Sequence, residues 1–420
     1  MIDRDYFLKA IEEEIDKCVK CGACRDVCPV FFSENTEVTS PRGKNSLLVH
    51  FIDSDLDATD IDKLLNSCTL CEACLDACPK DIATFNNVLY GRIVIRENSK
   101  INNLLNKPFG SNAVMSAGSK LLSLLQNIVF NKEDDLYRLK WRIGDISEKS
   151  LPKIPGQSFF SWYNAVEEKQ KQFDKKVLFF VGCLIRYLYP DTGIHLVEIL
   201  NKFGWGVIVP QQQGCCGLPA VSSGDIGDFT VSMDNNIAVF SDYPDIEYIL
   251  SACGSCGNTL QHYYPKFSEQ SSSYNSEQIE KFSGKIKDFS EFLLDIAGLS
   301  MRALKKSDYS VTYHDSCHLN RGMNVKDAPR QLLQNSSDFK DMNDADACCG
   351  FGGTFSIKEY DSSQKILTRK MENVKEAGTD YLTTGCPGCV LQLTEGNSRY
   401  LKDEVEVIHI VDYLYKIIFS

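Results

Sequence analysis

Cys317 … Cys348-Cys349-Gly350 … Cys386-Pro387-Gly388-Cys389 is the stretch that decides the reading of this chain. Thirty residues lie between Cys317 and the cysteine pair, and thirty-six between the pair and the C-x-x-C. The pattern has already occurred once. Cys183 precedes Cys215-Cys216-Gly217 by thirty-one residues, and thirty-six more separate that pair from Cys253-Gly254-Ser255-Cys256. Two five-cysteine sets at matched spacing mark a duplicated metal-binding unit of about 120 residues.

Working outward, each cysteine group stands where a short strand-like run ends. Val177-Leu178-Phe179-Phe180-Val181 is wholly apolar, as expected of a buried parallel strand, and leads into Cys183. Residues 190–203 have helical spacing, Gly206 to Pro210 reads as a second strand, and Tyr248-Ile249-Leu250 runs into Cys253. In the second half, Tyr309 to Tyr313 leads to Cys317, a helix follows Phe351, and Tyr381 to Thr384 leads to Cys386. Even the closing segment recurs, with 286–293 aligning on 407–414. Strand ends are where open α/β sheets gather ligands.

The N-terminal part carries a different cysteine chemistry. Cys18-x-x-Cys21-x-x-Cys24-x-x-x-Cys28-Pro29 and Cys68-x-x-Cys71-x-x-Cys74-x-x-x-Cys78-Pro79 are each the bacterial ferredoxin run for a cubane [4Fe–4S] cluster. Three close thiolates converge on one cluster and the fourth reaches its neighbour. This assigns Cys18, Cys21, Cys24 and Cys78 to one cubane, and Cys68, Cys71, Cys74 and Cys28 to the other. Zinc is the competing reading, but it takes four ligands and usually two separated pairs. Residues 3–17 form a helix (Asp3 its N-cap) that delivers Cys18, and Leu47, Leu48, Phe51, Ile52, Ile61, Leu64 and Leu65 mark helices before the second run. Arg42, in Ser40-Pro41-Arg42-Gly43, is the residue expected to anchor the connection between the runs.

The totals narrow the class. The chain has 420 residues, 43% apolar composition and a formal charge of −12. That is long enough for several domains with real cores. An acidic balance without a Lys/Arg-rich run argues against a nucleic-acid partner. The first seventeen residues have no apolar core of a signal peptide, and no run of eighteen apolar residues occurs, so no membrane-spanning helix is expected. Eighteen cysteines in a large chain of a reducing compartment read as metal ligands rather than disulfides. The expected location is cytoplasmic, with a partner as the route to the inner face of a membrane.

The expected fold class is α + α/β: an all-helical two-cluster ferredoxin domain (1–92), a helical connector and linker (93–175), and a duplicated α/β cysteine-rich domain (176–296 and 297–420). Within the connector, Leu121 to Phe130 reads as a helix packed on the neighbouring domain, with docking on a partner or a membrane surface as the alternative. Gly144 to Lys176 reads as a linker, and Ser-rich 268–276 as a surface loop. No Gly-rich dinucleotide fingerprint opens a helix after a strand.

The Cys … Cys-Cys-Gly … Cys-x-x-Cys pattern resembles the cysteine-rich "CCG" domain found twice in heterodisulfide reductase catalytic subunits. The layout of two ferredoxin runs and two such domains is similar to the iron–sulfur subunits of glycolate oxidase, lactate utilisation and anaerobic glycerol-3-phosphate dehydrogenase. The helical cluster domain resembles that of succinate dehydrogenase iron–sulfur subunits. Tyr313-His314-Asp315-Ser316-Cys317-His318-Leu319 and Cys348 to Phe355 are close to the family wording, and residues 93–175 are not covered.

The resemblance implies a non-cubane iron–sulfur cluster on Cys317, Cys348, Cys349, Cys386 and Cys389. It implies a second cluster, or zinc, on Cys183, Cys215, Cys216, Cys253 and Cys256. It further implies an oxidoreductase-complex subunit that takes electrons from a flavoprotein dehydrogenase oxidising a 2-hydroxy acid and passes them to a quinone or other carrier. The alternative is a catalyst of the heterodisulfide reductase type, cleaving a disulfide at a non-cubane cluster. His314 and His318 flank only the second set, and are expected to act as hydrogen-bond donors or proton sources beside its cluster.

Overall fold

The computed structural model describes residues 4–97, 112–133, 136–141, 148–299 and 304–420. Residues 4–97 are helical. α1 (Arg4–Ile15), α3 (Pro41–Ile52), α4 (Ala58–Asn66) and α6 (Thr84–Glu97) pack around Phe7, Ile11, Leu48, Leu65, Leu89 and Ile93, with short α2 (Pro29–Glu34) and α5 (Ala73–Asp76) following the cysteine loops. The caps explain the boundaries. Ser40 Oγ accepts from Gly43 N with Pro41 at the first helical position, and Asp57 accepts from Thr59 N and Asp60 N. The Cys28-Pro29 pair starts α2 in the same way, with the Cys28 sulfur accepting from Phe31 N. Asp3, expected to cap α1, lies outside the described residues.

The connector is less helical than expected. A helix spans Asn112–Val129, but Phe130 leaves it and opens β1 (Phe130–Glu133), which joins β2 (Leu136–Leu139) and β3 (Ser150–Pro152) in an antiparallel sheet. Leu-Tyr-Arg-Leu of β2 does not alternate, and its burial runs buried-buried then half-buried twice, so the sequence offers no strand period there. Gln126 ties the helix to the Ile154 backbone, while Leu121 and Ile128 point outward, so its apolar side is only partly covered. The segment expected to be a linker also folds. Helices Phe159–Tyr163 and Glu167–Lys171 pack on the next sheet, and the Tyr163 hydroxyl donates to Val207 O and accepts from Val209 N.

Two four-stranded parallel sheets follow. β4 (Lys175–Phe180), β5 (Trp205–Ile208), β6 (Ile249–Ser251) and β7 (Ile286–Asp288) stand in the order β5-β4-β6-β7. β8 (Ser310–His314), β9 (Asp338–Phe339), β10 (Tyr381–Thr384) and β11 (Glu406–His409) repeat it as β9-β8-β10-β11. In each sheet the first and third strands are neighbours at the point where strand order reverses, the position where such sheets bind ligands. Cys183 and Cys253 follow those strands in one copy, Cys317 and Cys386 in the other.

The copies pack reciprocally. The helix that carries the first C-x-x-C (Gly254–Asn258) lies on the turn His318–Gly322 that follows Cys317, and the helix that carries the second (Pro387–Gly396) touches Gly182–Tyr187 around Cys183. Among the described residues, no helix is long and apolar enough to cross a membrane.

The closing elements carry a testable charge. Asp288 caps the helix after β7, accepting from Ser290 N and Ser290 Oγ, and is 4% exposed. Burial pushes its carboxyl up from 3.8 to about 6. A raised acid favours the protonated form in the fold, so stability is greatest below the unfolded value of 3.8 and falls as pH rises through about 6. Two pH units correspond to roughly 2–3 kcal/mol at neutral pH. Asp288→Asn keeps the cap and removes the charge. Thermal unfolding should therefore show the variant more stable than wild type at pH 7.5, with the gap narrowing by pH 5; an equal gap at both pH values would rule this out.

Candidate iron–sulfur sites

The two ferredoxin runs fold alike because both place two residues in the left-handed region: Lys20 (φ 55°) and Gly22 (87°), Leu70 (54°) and Glu72 (65°). These reversals coil each loop around its sulfurs. One cavity is lined by Cys18, Cys21 and Cys24 with Cys78 from the other run; a second is lined by Cys68, Cys71 and Cys74 with Cys28. The structure thus brings together the two crossed groups of four. Cys74 lines both cavities, which therefore share a wall. Arg42 holds the first loop, donating from Nε to Glu37 (2.6 Å) and from Nη1 to Lys20 O (3.2 Å).

In the α/β copies, all ten cysteines converge at the switch points. The glycine of each Cys-Cys-Gly has positive φ (Gly217 89°, Gly350 86°), and a Cβ there would meet Phe229 Cδ2 or Ser363 O at 2.8 Å. Only glycine satisfies both demands, which explains the third letter of the motif. The C-x-x-C cysteines sit at helix N-termini, where backbone N–H groups point at the sulfurs. Cys253 Sγ, for example, accepts from Cys256 N.

The sulfurs form a continuous row. Cys183 contacts Cys215, Cys216 contacts Cys256, and Cys256 contacts Cys253. Cys253 Sγ lies 3.9 Å from Cys386 Sγ of the other copy, where Gly254 N also donates to Gly385 O. Cys386 then contacts Cys389, Cys389 contacts Cys349, and Cys348 contacts both Cys317 and Cys71 of the helical domain. Every site therefore touches the next.

The donor chemistry fits bound iron–sulfur clusters. Burial pushes the Cys28 thiol up to about 12 and Cys74 well above the ordinary range, so these groups would hold their protons unless a metal displaces them. Three cations are buried against the sulfurs with only carbonyl partners. Lys44, 2% exposed, donates to Thr39 O and faces Cys28, Cys68 and Cys74. Arg92, 6% exposed, donates to the carbonyls of Leu65, Asn66, Cys68 and Ser222. Lys370, 2% exposed, donates to Asp344 O and Ala345 O beside Cys348 and Cys349. Asp62 lies near Arg92, and Asp315 and Asp346 near Lys370, but none is hydrogen-bonded to the cation, and buried cations so placed are favoured by a further anion close by, such as a thiolate-ligated cluster. None of the three was singled out in the sequence, where each looks like a surface residue.

The two histidines diverge. His318 joins three parts of the molecule: Nε2 donates to Leu70 O (3.1 Å) beside the second ferredoxin loop, and Nδ1 meets Ser255 Oγ of the first copy (3.1 Å). Its place is structural as much as chemical. His318→Phe leaves a buried carbonyl unpaired, at a cost of roughly 1–3 kcal/mol. The variant should unfold at lower denaturant concentration; an unchanged midpoint would remove that role. His314 is 1% exposed and within 4.8 Å of the Cys349 and Cys389 sulfurs. Burial, helped by Lys370, pushes its ring down to about 3, so the imidazole is neutral, with hydrogen on one nitrogen and a lone pair on the other.

Comparison with known proteins follows the same division. The cysteine-rich domain family matches residues 177–261 and again 311–394, and the 4Fe-4S dicluster domain family matches 14–82. The chain is 28% identical to a probable glycolate oxidase iron-sulfur subunit of Bacillus subtilis, over 98% of this chain and 96% of that protein. It is 36% identical to lactate utilization protein A of Oceanobacillus iheyensis, over 57% of this chain and 96% of the relative. The lactate utilization protein A of Bacillus cereus is 34% identical over 57% of this chain and 98% of the relative. A crystal structure of a hypothetical protein from Helicobacter pylori shares the fold, with a TM-score of 0.56 and 12% identity over all of this chain and 77% of that one. The chain belongs to the iron–sulfur subunit family that includes lactate utilization protein A and the glycolate oxidase iron–sulfur subunit.

Proposed function

We propose that this protein is the electron-transfer subunit of a dehydrogenase complex in which a separate flavoprotein oxidises a 2-hydroxy acid of the lactate or glycolate type. The unbroken row of cysteine sites, from Cys21 through Cys74, Cys71, Cys348 and Cys386 to Cys253, carries this reading. Bound clusters supply one-electron transfer; the polypeptide sets their spacing, shields them from water and balances their charge with Lys44, Arg92 and Lys370.

Contact between neighbouring sites keeps each step short. Cys21 is exposed while seven of the ten cysteines in the α/β copies are buried, so the first ferredoxin site is the terminus open to a partner or to a quinone or other carrier. The relatives' names, glycolate oxidase and lactate utilization, support the choice of substrate class. The subunit holds cubanes on the two crossed groups of four and a centre on each five-cysteine set.

The test is anaerobic copurification with the flavoprotein, followed by addition of lactate or glycolate. Bleaching of the iron–sulfur absorption with new paramagnetic signals is expected. Iron-free protein, or a complex whose flavin is reduced while its clusters stay oxidised, would overturn the assignment.

A further inference from the structure

His314 ends β8 in the second copy and Phe180 ends β4 in the first. The two positions are equivalent in space. Each pairs in parallel register with the residue two before a C-x-x-C cysteine: Thr384 before Cys386, and Ser251 before Cys253. Phe180 has apolar company there, its ring 5.9 Å from Phe240. His314 replaces that ring with two polar nitrogens, and neither has a hydrogen-bond partner, although the Ala345 backbone approaches. A buried imidazole with both nitrogens unbonded is costly unless something else takes a lone pair.

That something is close. The ring and the sulfurs of Cys349 and Cys389 offer three donor atoms all within 4.8 Å of one another. Nitrogen and sulfur donors held about 2.1 and 2.3 Å from one tetrahedral metal stand roughly 3.6 Å apart. The triangle therefore has to tighten by no more than about an ångström. Neutral imidazole is the form that binds metals.

We infer that His314 is a direct iron ligand of the centre on Cys317, Cys348, Cys349, Cys386 and Cys389. That centre then has a mixed imidazole–thiolate donor set, whereas the first copy, with Phe180, offers thiolates only. The inference rests on the proposed function in one respect: that the second five-cysteine set holds iron and sulfide. The two copies are thereby made unequal in their donor sets, five thiolates with an imidazole in the second against five thiolates in the first.

The decisive measurement is pulsed EPR on protein labelled with 15N-histidine, in oxidised and reduced states, with iron and sulfide determined on the same samples. One cluster signal is expected to show the hyperfine coupling of a directly bound imidazole nitrogen. His314→Phe, which restores the ring of the first copy, should abolish that coupling while the other five histidines remain labelled. Absence of the coupling from wild type with its iron and sulfide complete, or its persistence in His314→Phe, would overturn the role of His314 alone. Iron and sulfide no greater than two cubanes require would overturn both this role and the reading beneath it.

Discussion

Cys78→Ala removes the same cubane signal as Cys21→Ser, and Cys28→Ala the same signal as Cys71→Ser. Each change should cost one cluster, about four irons per chain, and leave the other cubane in place. The expectation follows from the crossed linings: Cys78 faces Cys18, Cys21 and Cys24, and Cys28 faces Cys68, Cys71 and Cys74. Charge proximity agrees, since Cys24 feels Cys18 and Cys78 while Cys28 feels Cys71 and Cys68. Cys28→Ala should also loosen the start of α2, because the sulfur caps it. EPR and iron analysis of the four variants check the pairing. Joint loss of one signal in Cys78→Ala and Cys71→Ser would show that each run binds its own cluster.

Lys370→Asn should make the centre beside Cys348 and Cys349 markedly harder to reduce. The lysine is buried, donates only to carbonyls and faces both sulfurs. Its counterpart in the first copy is Asn236, which also lies on the helix behind the cysteine pair and bonds to Gly214 N and Cys215 O. The substitution therefore installs the other copy's solution. A reduced cluster carries one more negative charge, and a cation stabilises it preferentially. For a unit charge about 6 Å away at an effective dielectric of about 20, the loss is on the order of 3 kcal/mol. In a one-electron couple that is a fall on the order of 100 mV. Redox titration followed by EPR checks it, and a potential equal to that of wild type would show that the lysine only fills space.

How much was legible in the sequence differs by residue. The eighteen cysteines announce themselves by spacing, and the duplicated sheet by apolar runs that end at them. The strand β9 carries no such mark: two residues long at a sheet edge, with Asp338 exposed, it has no alternating pattern to read. The segment 150–171 looks like a linker because Pro152, Pro155 and Gly156 punctuate it. Its aromatic residues Phe159, Phe160 and Tyr163 nevertheless bury themselves on the first sheet. Lys44, Arg92 and Lys370 are illegible for a different reason. A lysine amid helical residues reads the same whether it faces water or a sulfur cavity, and only the packing of distant segments decides. Arg92 joins carbonyls of residues 65–68 to that of Ser222, a link between segments that no local pattern carries.

The seam where Cys253 meets Cys386 constrains the order of biosynthesis. Cys216, Cys253 and Cys256 on one side, and Cys348, Cys349, Cys386 and Cys389 on the other, are all buried once the halves close. Each set keeps a partly exposed cysteine, Cys183 and Cys215 in the first and Cys317 in the second, so iron and sulfide arriving after the halves dock would have to enter past those three residues. Delivery before or during docking meets no such restriction, and the exposed Cys21 site meets none at any stage.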